Sequence, residues 1–231
     1  MVTLLACLLA LVVPGSPSAD EILAAISGTS AVRRDATYSG VRHYTIRNAR
    51  FGKTAMVRVR MNSLPVQGTF FTIEERSGAH RLTSVVEKLL ATEAEASRPG
   101  KAAENEIGPS NYLARLRGTE MVGGHDCFML ELTPKAKSKY LVTGTVWVDR
   151  QTYGVVRLSG TTAASVSMWV GTPQIVEDFR LIDGVWLPSH LVSTSTSMLL
   201  GESSLEIRFA DYQVAGTVTT SKAAGELKAR I

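Results

Sequence analysis

The chain has 231 residues, a formal charge of +4 at pH 7 and a sequence pI near 9.2. Its Lys and Arg residues are spread along the sequence, with no basic block and no interleaved aromatic residues, which argues against nucleic acid as a partner. The length suits one domain with a sizeable core, which all-β chains of this size often form.

The N-terminal segment, residues 1–19, carries no charged side chain and is typical of a secretory signal peptide. Its apolar run from Leu4 to Val13 has the length of a signal core and falls short of the roughly 20 residues that span a bilayer. We expect cleavage after Ser18 or Ala19, export from the cytoplasm, and a single mature domain over residues 20–231.

Two cysteines bear on this prediction. Cys7 lies in a segment that resembles a bacterial lipobox, but the apolar run continues past it, so we expect an ordinary signal residue without lipid. Cys127 is then alone in the mature chain, which excludes an internal disulfide and favours a buried apolar role.

The mature sequence begins with a short amphipathic helix and continues with strands. Residues 20–27 place Ile22, Leu23 and Ile26 on one helical face. From Thr37 the apolar period becomes two, which predicts a meander of three strands. In the first of them, one face carries Tyr38, Gly40, Arg42, Tyr44 and Ile46.

A second helix is predicted over residues 82–97. Ser84 and Glu87 have the spacing of a capping box, and Arg98-Pro99-Gly100 should stop the helix. Its apolar stripe comprises Val85, Val86, Leu89 and Leu90.

The remaining sequence predicts eight further strands. They are expected near residues 116–121, 127–132, 140–148, 153–158, 165–170, 175–182, 185–195 and 204–214. The dipeptides Gly123-Gly124 and Asp183-Gly184 are typical of tight turns between strands, and residues 216–231 have the composition of a frayed tail.

About eleven strands exceed what a flat open sheet accommodates, so we expect a strongly curved antiparallel sheet whose concave face is covered by the helix near residue 90.

Several segments together resemble the LolA-like superfamily of bacterial outer-membrane lipoprotein-sorting proteins. They are the export signal, the strand meander with its helical insertion, G-T-V-W-V-D-R-Q-T-Y-G-V-V-R at 144–157, D-G-V-W-L-P at 183–188 and A-D-Y-Q-V at 210–214. The resemblance implies an incomplete β-barrel that shields acyl chains of lipoproteins or other lipids in the periplasm. It also implies an Arg at the barrel mouth that latches the lid, for which Arg42, Arg47 and Arg50 are all candidates.

Period-two alternation, together with the helical stripe, predicts the residues that line such a lipid-binding cavity. They are Val57, Val59, Phe71, Ile73, Val86, Leu89, Leu90, Phe128, Leu130, Ile175, Phe179, Leu205 and Ile207. Trp147, Trp169 and Trp186 are candidates for the same cavity or for the core.

No catalytic or metal motif is present in the sequence. The four histidines, His43, His80, His125 and His190, lack metal-ligand spacing, and no G-x-S-x-G elbow occurs. We therefore expect neither an enzyme nor a cofactor.

Two functions stay open at this point. One is a monomeric carrier of acyl chains that meets inner- or outer-membrane transport partners. The other is a non-catalytic envelope sensor or protein-interaction module with a closed cavity, because a fold supports more than one function.

Overall fold

The computed structural model describes residues 16–98, 100–164, 172–197 and 201–215. In these ranges the chain forms two α-helices, α1 (Ala19–Asp35) and α2 (His80–Ala96), and a 3₁₀ turn at Ala102–Asn105. The strands are β1 (Tyr38–Asn48), β2 (Lys53–Leu64), β3 (Gly68–Gly78), β4 (Tyr112–Val122), β5 (His125–Pro134), β6 (Val142–Asp149), β7 (Val155–Thr162), β8 (Gln174–Ile182), β9 (Val185–Ser197) and β10 (Gly201–Val214). Neither described helix is long and apolar enough to cross a membrane.

The ten described strands form one antiparallel sheet in the order β3-β2-β1-β10-β9-β8-β7-β6-β5-β4. Pairing of β1 with β10 joins the two halves, and the segment that carries α2 runs from the edge strand β3 to the opposite edge strand β4. Register shifts interrupt five of the strand pairs and add curvature. The predicted mainly β, open half-barrel architecture is thus confirmed, while the strand expected at 165–170, the signal segment before residue 16 and the tail from 216 lie outside the described residues.

Two of the hairpin turns are confirmed in detail. Asp183 and Gly184 have φ angles of +47° and +81°, and Gly123 and Gly124 have +57° and +87°. Positive φ at both central residues is the geometry that matches the twist of a two-residue hairpin. Glycine adopts it without strain, which explains why these dipeptides predicted the turns.

Helix α1 is twice as long as predicted, because it continues from Ser27 to Asp35. Its start is a capping box in which Ser18 and Glu21 satisfy each other's backbone N–H groups. A tertiary contact supports the weak helix formers after Ser27, since the Thr29 hydroxyl donates to the Tyr153 carbonyl as well as to that of Ile26 in the same helix.

Helix α2 starts earlier than predicted, at His80, and the expected capping box at Ser84 is wrong. The N-cap residue Ala79 makes no side-chain cap; instead the Ser84 hydroxyl donates to the His80 carbonyl, and Glu87 pairs with Arg76 of β3. The backbone N–H of Ala79 bonds the Thr54 carbonyl of β2, so the sheet itself fixes the start of the helix.

Each helix covers a different half of the concave face and forms its own core. Helix α1 packs on β4 and β9 and buries Ile22, Leu23 and Ile26 completely against residues of β5 and β6. Helix α2 packs on β1, β2 and β3 and buries Val86 and Leu90. A buried side chain of this kind contributes about 1.5–3 kcal/mol. The two cores leave the middle of the concave face between them.

Candidate functional site

A cavity of about 750 Å³ lies between the two helix-covered cores. Its apolar floor comes from β7, β8 and β9, and its walls come from the C-terminal turns of both helices and from the loop 100–107. The apolar lining includes Leu158, Ile175, Phe179, Trp186 and Leu191. This volume lies in the range of sites that hold small ligands.

Most of the predicted lipid-binding residues pack in the cores beside this cavity. Ile175 and Phe179 line the cavity itself. The core under α2 contains Val57, Val59, Phe71, Ile73, Val86, Leu90, Leu205 and Ile207, and the core under α1 contains Phe128 and Leu130. Leu89 is half-buried. Period-two alternation predicted that these residues line a cavity under one helix, whereas two helices, α1 and α2, pack over the sheet.

Arg42 of β1 lies in a buried position and reaches from the sheet to α2. The residue is 6% exposed, and its guanidinium donates to both carboxylate oxygens of Glu93 on α2, at 2.7 and 2.8 Å. The rings of Phe71 and Phe209 lie 5.0 Å from its guanidinium carbon. Of the three candidates for the latch, Arg42 thus binds α2; Arg47 is exposed, and Arg50 lies over the ring of Phe51.

The Arg42 guanidinium is charged in this setting. Burial by itself would lower its pKa, but the attraction of Glu93 and the hydrogen bond to the Tyr44 hydroxyl outweigh burial and raise the pKa. Burial also raises the pKa of the Tyr44 phenol, which stays neutral at physiological pH. The ion pair between Arg42 and Glu93 therefore joins β1 to α2 through two charge-assisted hydrogen bonds.

A second ionisable group, Glu177, lies on the cavity floor. In the register of β8, Glu177 is opposite Leu158 of β7 and Leu191 of β9, and all three residues line the cavity. Within the described ranges the Glu177 carboxyl group has no hydrogen bond and no ion pair. The Glu177 residue is half-buried, because the cavity exposes part of its surface. Protein surrounds the cavity on the other sides of the side chain. Burial raises the pKa of Glu177 to about 7.

Sequence reasoning missed Glu177, although the signal was present. Ile175 and Phe179 were both predicted to face inward, and a period of two places Glu177 between them on the same face. A single charged residue inside an inward-facing row is an indicator of a functional position.

Basic side chains of α1 complete the polar part of the cavity. Arg34 forms an ion pair with Glu106 of the loop 100–107. Arg33 is half-buried, lines the cavity, and interacts electrostatically with Glu177 without a hydrogen bond or ion pair among the described residues. The cavity therefore combines an apolar floor with a few polar groups, as ligand sites commonly do.

No group of three or more His, Cys, Asp or Glu side chains in the described part of the chain could hold a metal ion. His125 contacts the buried Asp149 at 2.9 Å, and His190 contacts Glu206, which also pairs with Arg208, at 3.0 Å. Cys127 is completely buried, and burial raises the pKa of its thiol to about 11. Trp186 lines the cavity, Trp147 donates to Glu120 on the surface, and Trp169 lies outside the described residues.

No family model matches the chain, and no curated protein does. Solved structures of low sequence identity cover most of the chain. A LolA superfamily protein from Nitrosomonas europaea is 12% identical, with a TM-score of 0.47 over 87% of this chain and 96% of that one. A putative outer membrane lipoprotein-sorting protein domain from Vibrio parahaemolyticus is 15% identical, with a TM-score of 0.47 over 86% and 94%. A MucA/MucB complex from Pseudomonas aeruginosa is 10% identical, with a TM-score of 0.25 over 83% and 100%. These similarities transfer neither a ligand nor a partner to this chain.

Proposed function

We propose that the protein is a non-catalytic carrier that holds an acyl chain of a lipid or lipoprotein in the cavity between α1 and α2. The observation that supports this function best is the cavity of about 750 Å³ with an apolar floor on the concave face. An apolar floor offers water few hydrogen-bonding partners, whereas a hydrocarbon chain that binds there is stabilised by leaving water.

The energetics of this proposal are favourable for a single chain. Each methylene group transferred from water contributes about 0.8 kcal/mol, so a twelve-carbon chain contributes about 9 kcal/mol before the costs of binding. Ordering of the chain and movement of the lid offset several kcal/mol of this, which leaves affinity in the micromolar range. Affinity should rise with chain length until the cavity is filled.

The ion pair between Arg42 and Glu93 has a clear role in such a carrier. It lies at the cavity and joins the sheet to α2, so a chain that enters beside α2 has to move or break it. The Glu93 side chain is 45% exposed, which lets water or a partner protein reach the pair from outside.

The binding test uses delipidated protein and a fluorescent acyl probe, displaced by fatty acids or monoacylglycerols of increasing length. Leu191→Trp places a bulky ring in the cavity and should weaken binding of the longer chains. Leu181→Trp is the matched control, since Leu181 is 46% exposed and does not line the cavity. Absence of saturable binding at every length between pH 6 and 8, with folded protein, would contradict the carrier function.

The proposal places the protein in the periplasm after removal of residues 1–19. Cleavage after Ser18 or Ala19 removes Ser18, the residue that caps α1. The intact mass of protein isolated from the cell envelope tests both points, since it gives the mature N-terminus and detects any lipid on Cys7. A diacylglyceryl-modified chain that starts at Cys7 would contradict this part of the proposal.

An envelope interaction module is the second candidate, and the edge of the sheet favours it. Among the described strands, β4 pairs only with β5, and its Leu113 and Met121 are 61% and 64% exposed. An edge strand with exposed apolar residues can pair with another chain. Retained partner binding in a protein that binds no acyl chain would favour this candidate over the carrier.

A further inference from the structure

Glu177 is a polar group in the place where the proposed function needs hydrocarbon. Its neighbours along β8 on the cavity face are Ile175 and Phe179, and across the sheet they are Leu158 and Leu191. An acyl chain on this floor would therefore lie against the carboxyl group and remove the water that the empty cavity supplies.

Ionisable side chains from several described elements interact electrostatically with Glu177. Arg33 of α1 and Arg42 of β1 favour its ionised form, whereas Glu93 of α2 and Asp178 of β8 oppose it. Tyr212 of β10 is neutral, since burial raises the pKa of its phenol. From β7 and β9 the facing residues are the uncharged Leu158 and Leu191.

The two arginines do not compensate the carboxylate fully. The charge of Arg42 is shared with both oxygens of Glu93, and Arg33 forms no hydrogen bond with Glu177. An ionised carboxylate in contact with hydrocarbon and without a hydrogen bond is strongly disfavoured, whereas a protonated carboxyl group is tolerated.

We propose that the cavity takes up one proton with each acyl chain, and that the carboxyl group of Glu177 receives it. The inference rests on the proposed acyl-chain function and adds its regulation. The proton comes from solvent, a carboxylate becomes a carboxylic acid, and no other bond changes. Loading is therefore favoured at acidic pH, and ionisation of Glu177 promotes release at alkaline pH.

The empty protein is poised for this coupling near neutral pH. With a pKa of about 7, the protonated fraction of Glu177 falls from roughly 0.9 at pH 6 to roughly 0.1 at pH 8. If the protonated form alone binds, the apparent affinity falls about tenfold over this range.

The test measures the affinity of a twelve-carbon monoacylglycerol, which has no titratable group, at pH 6 and pH 8. We expect about tenfold weaker binding at pH 8 in the wild type, and tight, pH-independent binding in Glu177→Gln. Glu75→Gln is the control and should behave as the wild type, because the Glu75 side chain is 74% exposed on the outside of β3. Calorimetry of the wild type in buffers of different ionisation enthalpy counts the protons directly and needs no variant. We expect uptake approaching one proton per chain at pH 8.

Each failure has a distinct signature. Saturable binding with no pH dependence and no proton uptake would overturn this inference and leave the carrier function intact. A dodecylamine that binds more tightly as pH rises, with no pH effect on the monoacylglycerol, would also overturn it, because Glu177 would then be an anionic subsite for a cationic head group. Absence of binding at either pH in wild type and variant would overturn the carrier function itself.

Discussion

Arg42 on β1 and Glu93 on α2 both line the cavity and share two hydrogen bonds, at 2.7 and 2.8 Å. The Arg42 side chain is 7% exposed, whereas that of Glu93 is 45% exposed. The buried partner is therefore the one that cannot exchange its contact for water. Loss of Glu93 should consequently matter more than loss of an exposed ion pair.

Replacement of Glu93 by Gln should loosen the C-terminal part of α2 and leave the sheet folded. The amide accepts one hydrogen bond but leaves the buried Arg42 charge without a counter-charge, which costs about 1–3 kcal/mol of unfolding free energy. Hydrogen exchange of residues 90–97 should become faster. Glu87→Gln is the control on the same helix and should change stability by about 0.5 kcal/mol or less, since the Arg76 side chain that it pairs with is 57% exposed. Equal effects of the two variants would contradict the assignment.

Leu90 should carry much of the packing energy of α2. It is 5% exposed in the core under the helix, so Leu90→Ala should lower the unfolding free energy by about 2–5 kcal/mol through lost burial and a residual cavity. Val85 belongs to the predicted apolar stripe but is 42% exposed, and Val85→Ala should cost about 0.5 kcal/mol or less. Chemical denaturation of both variants measures the difference. Similar losses would mean that the helix presents another face to the sheet.

Glu177 should make the ligand-free protein less stable as pH rises. Its pKa is about 7 in the folded protein against 4.5 in the reference state, so the folded state binds more protons than the unfolded state between these values. Unfolding free energy therefore falls with rising pH in this window, by at most about 3 kcal/mol for this group. Glu177→Gln should flatten this part of the pH profile and raise stability at pH 8 relative to the wild type. An unchanged profile in the variant would contradict the raised pKa.

Asp149 should stabilise the turn between β6 and β7. One of its carboxylate oxygens accepts from the backbone N–H groups of Gln151 and Thr152 and from the Thr152 hydroxyl, and the other contacts His125. Burial alone would raise the pKa of Asp149, but these hydrogen bonds outweigh it and lower the pKa. The stabilisation is present above the reference pKa near 3.8 and is lost as pH falls through the lowered value.

Asp149→Ala should accordingly cost about 1–3 kcal/mol at neutral pH, since it removes the acceptor of several hydrogen bonds. Asp126→Ala is the control in the preceding hairpin, because the Asp126 side chain is 53% exposed and pairs with Arg150 at the surface. Thermal unfolding should separate the two variants. A difference that persists below the lowered pKa would contradict the role of the ionised carboxylate.

Cys127 should be unreactive in the folded protein. The residue is completely buried and the pKa of its thiol is raised to about 11, chiefly by burial and then by Asp149, so the thiolate is scarce at neutral pH. A disulfide reagent should label it at the rate of global unfolding, and immediately in denaturant. Rapid labelling of native protein would contradict its place in the core.

Local sequence determined the strands and their turns. On β1 the alternation of Gly40, Arg42, Tyr44 and Ile46 predicted one buried face, which the structure has. The period of a strand needs no information from distant residues, because successive side chains point to opposite faces. The same holds for Asp183-Gly184, where positive φ angles are a property of the residues themselves.

Helix ends were less predictable, since tertiary contacts override local preference. Ser84 and Glu87 have capping-box spacing, yet the backbone bond from Ala79 to the Thr54 carbonyl starts α2 one turn earlier. Helix α1 likewise runs through Gly28 and Thr29, because Tyr153 in the turn between β6 and β7 accepts a hydrogen bond from Thr29.

The sequence by itself determined that a curved antiparallel sheet would have an apolar concave face, because its alternation is a local property. Only the tertiary structure decided which part of that face stays open. Two helices from distant segments pack over it, bring Glu93 to Arg42, and leave Glu177 at the gap between their cores. Arg42 and Glu93 are 51 positions apart, and their contact depends on the whole packing arrangement. The local alternation of apolar residues therefore cannot predict it.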